Sequence, residues 1–435
     1  MTIQEYLSSL RGKTAAVLGI GVSNTPLIEL LCRNGVQVIA CDKKSREDLG
    51  ERAKQLEALG AHLQLGEGYL DDLRADVVFR TPGMRPDVPA LLGAKARGSI
   101  VTSEMEIFFE VCPCTIIGVT GSDGKTTTTS IIAEMLRAAG KTVYLGGNIG
   151  HPLLCDAEKM QPEDFAVVEL SSFQLLDMKR SPHIAVMTNL APNHLDVHKD
   201  MDEYVGAKMR LFANQTGDDL AILQEGMDDL AARYGLKARI VHYTASNRFP
   251  EMQLMGPHNR GNAEAAWLAC REFGVTEEAA ARAVAAFAPL EHRLEKVAEI
   301  NGVLYVNDSK CTTVEALRVA LASFERPVVL LAGGKFKGGD LPGLCPLLKK
   351  HARCVALFGA SRERFEPAWR DTLPVTWDRT LEQALRRAAG KDGRPALAHE
   401  GDVVLLAPAC SSYDQYPNYL RRGEDFKRVV REVLA

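Results

Sequence analysis

Thr115-Ile-Ile-Gly-Val-Thr-Gly-Ser-Asp-Gly-Lys-Thr-Thr-Thr-Thr-Ser130 is the stretch whose reading decides the fold. An apolar, β-branched run, Thr115–Thr120, breaks at glycines and resumes as a helix-forming segment, which reads as strand, loop and helix. Backbone N–H groups of such a loop wrap phosphate oxygens, Lys125 neutralises charge, and the Thr126 hydroxyl is placed to ligate Mg²⁺. The slot six before Lys125 holds Val119, where a standard phosphate loop has glycine. A chance Gly-Lys-Thr is common, but the strand–loop–helix context makes triphosphate binding the better reading.

Outward from this loop, apolar runs alternate with helix-period stretches, which predicts parallel sheets with crossover helices. Strands are expected at 14–19, 36–41 and 77–80, then at 115–120, 143–145, 165–170, 185–189 and 221–223, and finally at 303–307, 328–331, 354–358 and 403–406. The 435 residues suit about three domains at ~150 residues each. The boundaries fall at residues 1–102, 103–291 and 292–435: an α/β protein with a Rossmann-like N-terminal, a P-loop-type central and a Rossmann-like C-terminal domain. Hydrophobic residues at 46% and charged residues at 25% exclude a disordered chain. A balance of 52 basic against 56 acidic residues argues against a nucleic-acid surface. No apolar run approaches the ~20 residues of a membrane span, and the N-terminus lacks the order of a signal peptide. A cytoplasmic protein with reduced cysteines is expected. Cys112-Pro-Cys114 lacks a partner pair at zinc-ribbon spacing and reads as buried thiols.

Other candidate positions have ordinary alternatives. Gly19-Ile-Gly21-Val22-Ser23-Asn24 follows the first strand and Asp42 ends the second, a nucleotide-sized arrangement in which Asn24 replaces the third fingerprint glycine. Glu169 and His194 follow strands on the edge where open α/β sheets bind ligands; a helix cap and a surface histidine are the alternatives. Lys208, in the helical stretch 201–214, reads by default as solvated, and 258–262 as a polar turn before a helix at 263–273. Asn307–Lys310, Gly333–Gly339 and Ala409–Asp414 are polar turns after three strands, suited to a second binding face.

Taken in order, these segments resemble the Mur ligase family over nearly the whole chain. The resemblance rests on Gly121–Thr126, Gly146–Gly150, Val168–Gln174, Asn193–Asp196, His258–Arg260, His292-Arg293, Asn307–Lys310 and Ala407–Ser412. Glu169–Gln174 and Ala407–Tyr419 resemble its D-glutamate-adding branch. Asp123 stands where the family usually has Asn, which sets an added acid beside the triphosphate. The resemblance implies an ATP-dependent amide ligase of peptidoglycan precursor synthesis, monomeric, joining D-glutamate to UDP-MurNAc-L-Ala through an acyl phosphate. It implies ATP at Gly121, Ser122, Asp123, Gly124, Lys125, Thr126, Thr127, Asn259, Asn262, Arg293 and Asp308. Two Mg²⁺ would sit at Thr126, Glu169, His194 and Lys208, with Lys208 carbamylated. The UDP-substrate side would use Val22, Ser23, Asp42, Gly83, Asn148, Ser171 and Gln174. D-glutamate would meet Thr312, Lys337, Ser412 and Tyr419, and Lys125, His194, Lys208 and Lys310 would act in catalysis. Another ligase of the superfamily is the nearest alternative, then a non-catalytic nucleotide-binding relative, then a dinucleotide oxidoreductase.

Overall fold

The computed structural model describes residues 1–194, 197–289 and 291–434. The Leu195-Asp196 half of the Asn193–Asp196 motif therefore lies outside the described residues. Three sheets follow one another along the chain. The first is β1 (Thr14–Leu18), β2 (Gln37–Asp42), β3 (His62–Leu65), β4 (Val77–Phe79) and β5 (Ile100–Thr102), all parallel, in the order β3-β2-β1-β4-β5. The second is β6 (Thr115–Thr120), β7 (Val143–Gly147), β8 (Phe165–Glu169), β9 (Ile184–Met187), β10 (Leu220–Gln224) and β11 (Arg239–Tyr243), again parallel, in the order β11-β10-β9-β6-β8-β7. The third is β12 (Glu295–Ile300), β13 (Val303–Asn307), β14 (Val328–Gly333), β15 (Ala352–Phe358), β16 (Val375–Asp378) and β17 (Val403–Leu406), in the order β12-β13-β17-β14-β15-β16.

The central strands read as unbroken apolar runs because both their faces are covered. In β1, Ala15 and Val17 enter one core while Ala16 and Leu18 enter another. In β17, Val403 and Leu405 face one layer of helices and Val404 and Leu406 the opposite layer. The described residues form two compact units, 1–248 with 261–284, and 249–260 with 285–434. The first contains two sheets and the second one.

Five strands escaped the sequence reading: β3, β5, β11, β12 and β16, and each lies at a sheet edge. Edge strands are covered on fewer sides, so exposed and half-buried positions interrupt their apolar signal, as in His62–Leu65 and Glu295–Ile300. The expectation of purely parallel sheets is corrected by β12, which runs antiparallel to β13. Asn301-Gly302, at φ +51° and +75°, makes the two-residue hairpin turn, and this dipeptide is the signal that reveals the strand. The polar turn expected at 258–262 is helical instead: Pro257 opens a helix that runs to Cys270. Proline in the first helical turn loses no hydrogen bond and is preset for helical φ, which outweighs the polar side chains after it.

Candidate active site

β6 delivers the phosphate loop to the carboxyl edge of the second sheet. Because β6 pairs with β8 and β9, Val119 lies opposite Glu169 and Thr120 opposite Met187. The loop is held from the β9 side: Ser122 N–H donates to the Asn189 carbonyl at 3.0 Å, and Asp123 N–H to Asn189 Oδ1 at 2.8 Å. Thr188 Oγ1 donates to the Asp123 carbonyl. Asp123 thus serves through its backbone while its side chain is exposed. Gly121, at φ +145°, has no room for a Cβ, which would run into Thr188 Oγ1. Gly124, at φ +79°, caps the helix Lys125–Ala138 beneath the Asn262 amide, where a Cβ would sit 2.5 Å from Asn262 Oδ1. Lys125 Nζ folds back onto the carbonyls of Gly121 (2.9 Å) and Ser122 (2.8 Å). Thr126 is half-buried at the helix start, and Thr127 is buried behind it.

Glu169 is almost fully buried. One carboxylate oxygen accepts from Asn148 Nδ2 at 2.7 Å, and the other, Oε2, is buried and has no hydrogen-bond partner among the described residues. Leaving such an atom unpaired costs about 1–3 kcal/mol, so its position beside a phosphate loop points to a cation that completes it. The helix-cap alternative for Glu169 does not hold: Ser171 caps the helix Ser172–Leu175, in a reciprocal box with Gln174. The Ser171 hydroxyl donates to Gln174 Oε1 at 2.9 Å.

The default for Lys208 is corrected. It lies on the helix Met201–Met209, only 1% exposed, and donates to the Gly121 carbonyl at 2.7 Å. Tyr204, one turn earlier, hydrogen bonds Ser122 Oγ at 2.9 Å and offers its ring to Lys208 Nζ at 4.6 Å. The Tyr204/Lys208 spacing puts both on one helix face, against the loop. Burial first, and then the charge of Lys125, pushes the Lys208 amine down to about 6. His194, at φ +55°, sets its ring edge-on to Phe173 at 5.0 Å. On that same ring His198 stacks at 5.3 Å, buried, with Nε2 on Ser172 Oγ at 2.9 Å.

The first sheet adds a narrow cleft, of about 10 Å³, lined in part by Ser23, Pro82, Gly147 and Gln174. This brings Ser23 and Gln174 together, with Gly83 and Asn148 one residue beyond the lining. Val22 is 75% exposed. Asp42 turns inward: Oδ2 accepts from Ile20 N–H at 2.6 Å and Oδ1 from Lys44 N–H at 2.9 Å. Asn24, at the missing glycine, is buried and donates to the Leu18 carbonyl at 2.8 Å. Sequence reasoning missed Arg80, fully buried in the same cleft, which donates to the carbonyls of Thr81, Pro82 and Met84 and so shapes the Thr81-Pro82-Gly83 turn. Its one sequence signal is an arginine that closes an apolar strand.

In the second unit, the parallel neighbours β13, β17 and β14 send the three polar turns out of one edge. Asp308 is buried and accepts from Leu294 N–H at 3.3 Å; burial pushes its carboxyl up to about 7. Arg293 Nε is buried and has no hydrogen-bond partner among the described residues. Lys310 Nζ lies 5.6 Å from the Tyr419 ring centre. Ser412 is buried, Thr312 and Tyr419 are half-buried, and Lys337 is exposed. Lys335 is engaged through its backbone, paired with Ser411 at 2.9 and 3.1 Å. Also missed was Arg422, fully buried, which donates to Ser309 Oγ at 3.0 Å and to its carbonyl at 2.8 Å. Nothing local marks it, since it sits on a largely polar helix, Tyr419–Val429.

Comparison with known proteins agrees with this architecture. The family model for the Mur ligase middle domain matches residues 119–270, and that for the Mur ligase, glutamate ligase domain matches 292–410. The chain is 50% identical over 432 residues to the UDP-N-acetylmuramoylalanine–D-glutamate ligase of Nitratidesulfovibrio vulgaris strain DP4, covering 97% of each. It is 49% identical over 427 residues to the enzyme of that name from Oleidesulfovibrio alaskensis, covering 96% of this chain and 94% of the relative. Among solved structures it is similar in fold to UDP-N-acetylmuramate–alanine ligase MurC of Thermotoga maritima (TM-score 0.57, 18% identity, 96% of this chain and 99% of that one). MurF ligase from the same organism, in complex with ADP, gives TM-score 0.57 at 18% identity, over 97% and 96%.

Proposed function

The chain belongs to the Mur ligase family, and from that premise we propose that it joins D-glutamate to UDP-N-acetylmuramoyl-L-alanine with conversion of ATP to ADP. It is an ATP-dependent ligase of peptidoglycan precursor synthesis. The γ-phosphoryl group passes to the alanyl carboxylate; the D-glutamate amine then attacks the acyl phosphate, forming the amide and releasing phosphate. The reading places this in the cytoplasm, where ATP and nucleotide-linked sugars are available, on a single copy of the chain.

The observation that carries the reading is the buried oxygen of Glu169 beside the phosphate loop, which has no partner among the described residues. An oxygen left without a donor at this edge fits Mg²⁺, a hard cation that takes oxygen ligands and phosphates. When bound, Mg²⁺ screens the repulsion between the carboxylate and the γ-phosphate. Thr126 and Glu169 would hold one ion, and His194 with a carbamate on Lys208 a second. Lys125 would leave the Gly121 and Ser122 carbonyls for the phosphates. Asn259, Asn262, Arg293 and Asp308 would bind the nucleoside side of ATP. The residues around the narrow cleft at Ser23 and Gln174, with Val22, Asp42, Gly83, Asn148 and Ser171, would hold the UDP-substrate. Lys310, Thr312, Lys337, Ser412 and Tyr419 would take D-glutamate, whose two carboxylates need several donors. The working division is residues 1–102 for the UDP-substrate, 103–291 for ATP and 292–435 for the amino acid.

The test is ADP release with UDP-MurNAc-L-Ala and each of D-Glu, L-Glu, L-Lys and diaminopimelate. Turnover with D-Glu alone is expected. Activity with L-Lys at or above that with D-Glu overturns the acceptor assignment, and no turnover with any acceptor favours a nucleotide-binding relative without activity.

A further inference from the structure

Cys112-Pro-Cys114 joins the helix Glu104–Val111 to β6, at the end of that strand away from the phosphate loop. Six residues at ~3.3 Å each put the loop about 20 Å away. Met160 reaches the same point from the segment before β8. Three sulfur atoms converge there: Cys112 Sγ and Cys114 Sγ are 3.4 Å apart, and each is 3.9 Å from Met160 Sδ. Cys114 and Met160 are buried and Cys112 is half-buried, so the cluster is closed on the protein side and reachable past Cys112.

The triangle has the dimensions of a coordination sphere. Its centre lies about 2.2 Å from each sulfur, close to the roughly 2.3 Å of a zinc–thiolate bond. We propose that Cys112, Cys114 and Met160 form a trigonal site for one soft monovalent cation, Cu(I). Two thiolates and a thioether are the donors that select Cu(I) over harder ions. Structural zinc asks for four ligands, and among the described residues no cluster of three or more His, Cys, Asp and Glu side chains forms around the cysteines. Binding changes no oxidation state: one Cu⁺ replaces the two thiol protons, which go to solvent, and the neutral thioether donates a lone pair, leaving a complex of charge −1. The hydrogen bond between the thiols already holds Cys112 below the ordinary thiol value. The same hydrogen bond first, then burial and the neighbouring Cys112 and Asp164 charges, holds the Cys114 thiol well above the ordinary value, and a bound cation offsets these. The site is independent of the ligase reading, since it lies at the opposite end of β6 and its test reads the metal directly.

Reduced full-length protein, titrated without oxygen against Cu(I) held as its coloured bathocuproine disulfonate complex, should withdraw one Cu(I) per chain. X-ray absorption should then show three sulfur neighbours. Cys112→Ser and Cys114→Ser should each abolish the uptake, while Cys155→Ser, at a half-buried cysteine outside the cluster, should leave it intact. Loss of an outer-shell partner alone costs metal sites about tenfold or more, so Met160→Leu, which preserves the packing, should lose at least that. No withdrawal by the wild type, equal withdrawal by Cys112→Ser, equal affinity in Met160→Leu, or equal loss in Cys155→Ser would each overturn the assignment.

Discussion

Lys208 is the residue at which burial and chemistry meet. An amine held down to about 6 is mainly uncharged at neutral pH, unlike an exposed lysine at 10.5. Only the neutral amine adds CO₂, so the surroundings that look hostile to a lysine favour its carbamate. A carbamate and an ammonium beside a metal differ in sign: one attracts the ion and the other repels it. Lys208→Ala should therefore be nearly inactive in the ADP-release assay, and short carboxylic acids should restore part of the turnover by supplying the missing oxygens. Rescue by amines but not by acids would show that a cation is what the site needs.

At the scale of elements, the turn after β4 and the helix Met201–Met209 are tied by one arginine. Arg85 donates to both Glu203 carboxylate oxygens, at 2.9 and 2.8 Å, and to the Val197 carbonyl at 2.9 Å. Glu203 precedes Tyr204, which bonds the phosphate loop, and lies on the helix that presents Lys208. A partly buried two-pronged pair of this kind holds geometry as well as energy. Arg85→Met and Glu203→Gln should each destabilise, and urea unfolding of the double mutant should give a coupling of about 1–2 kcal/mol. Additive single effects would mean the pair merely decorates the surface.

For the molecule as a whole, stability should depend on pH through Glu104. Its carboxyl is buried and accepts from Leu154 N–H at 2.9 Å, and burial pushes it up to about 7 from an ordinary 4.5. Below about 4.5 both folded and unfolded chains hold the proton, so no cost arises. Between 4.5 and 7 only the folded state keeps it, and stability falls as pH rises; above about 7 the full cost stands, on the order of 3 kcal/mol. Glu104→Gln keeps an acceptor for Leu154 N–H without the charge. Its advantage over the wild type in urea should grow from pH 5 to pH 7 and then level off. A difference that stays flat across that range would exclude Glu104 as the source.

What the sequence by itself determined is the set of signals carried by neighbours in the chain. The phosphate loop, the central strands and the three polar turns are legible because glycine conformations, apolar runs and helix starts act over a few residues. The order of the sheets follows from the same alternation. Tertiary structure alone decided which polar groups became buried. Lys208 and Arg422 look like ordinary surface residues in sequence, and only packing against Gly121 and Ser309 removes them from water. It also decided that one oxygen of Glu169 meets Asn148 while the other has no partner among the described residues, and that Met160, 46 residues from Cys114, completes a triangle of sulfurs. Desolvation and pairing depend on atoms that arrive from distant parts of the chain, and no local pattern encodes their arrival.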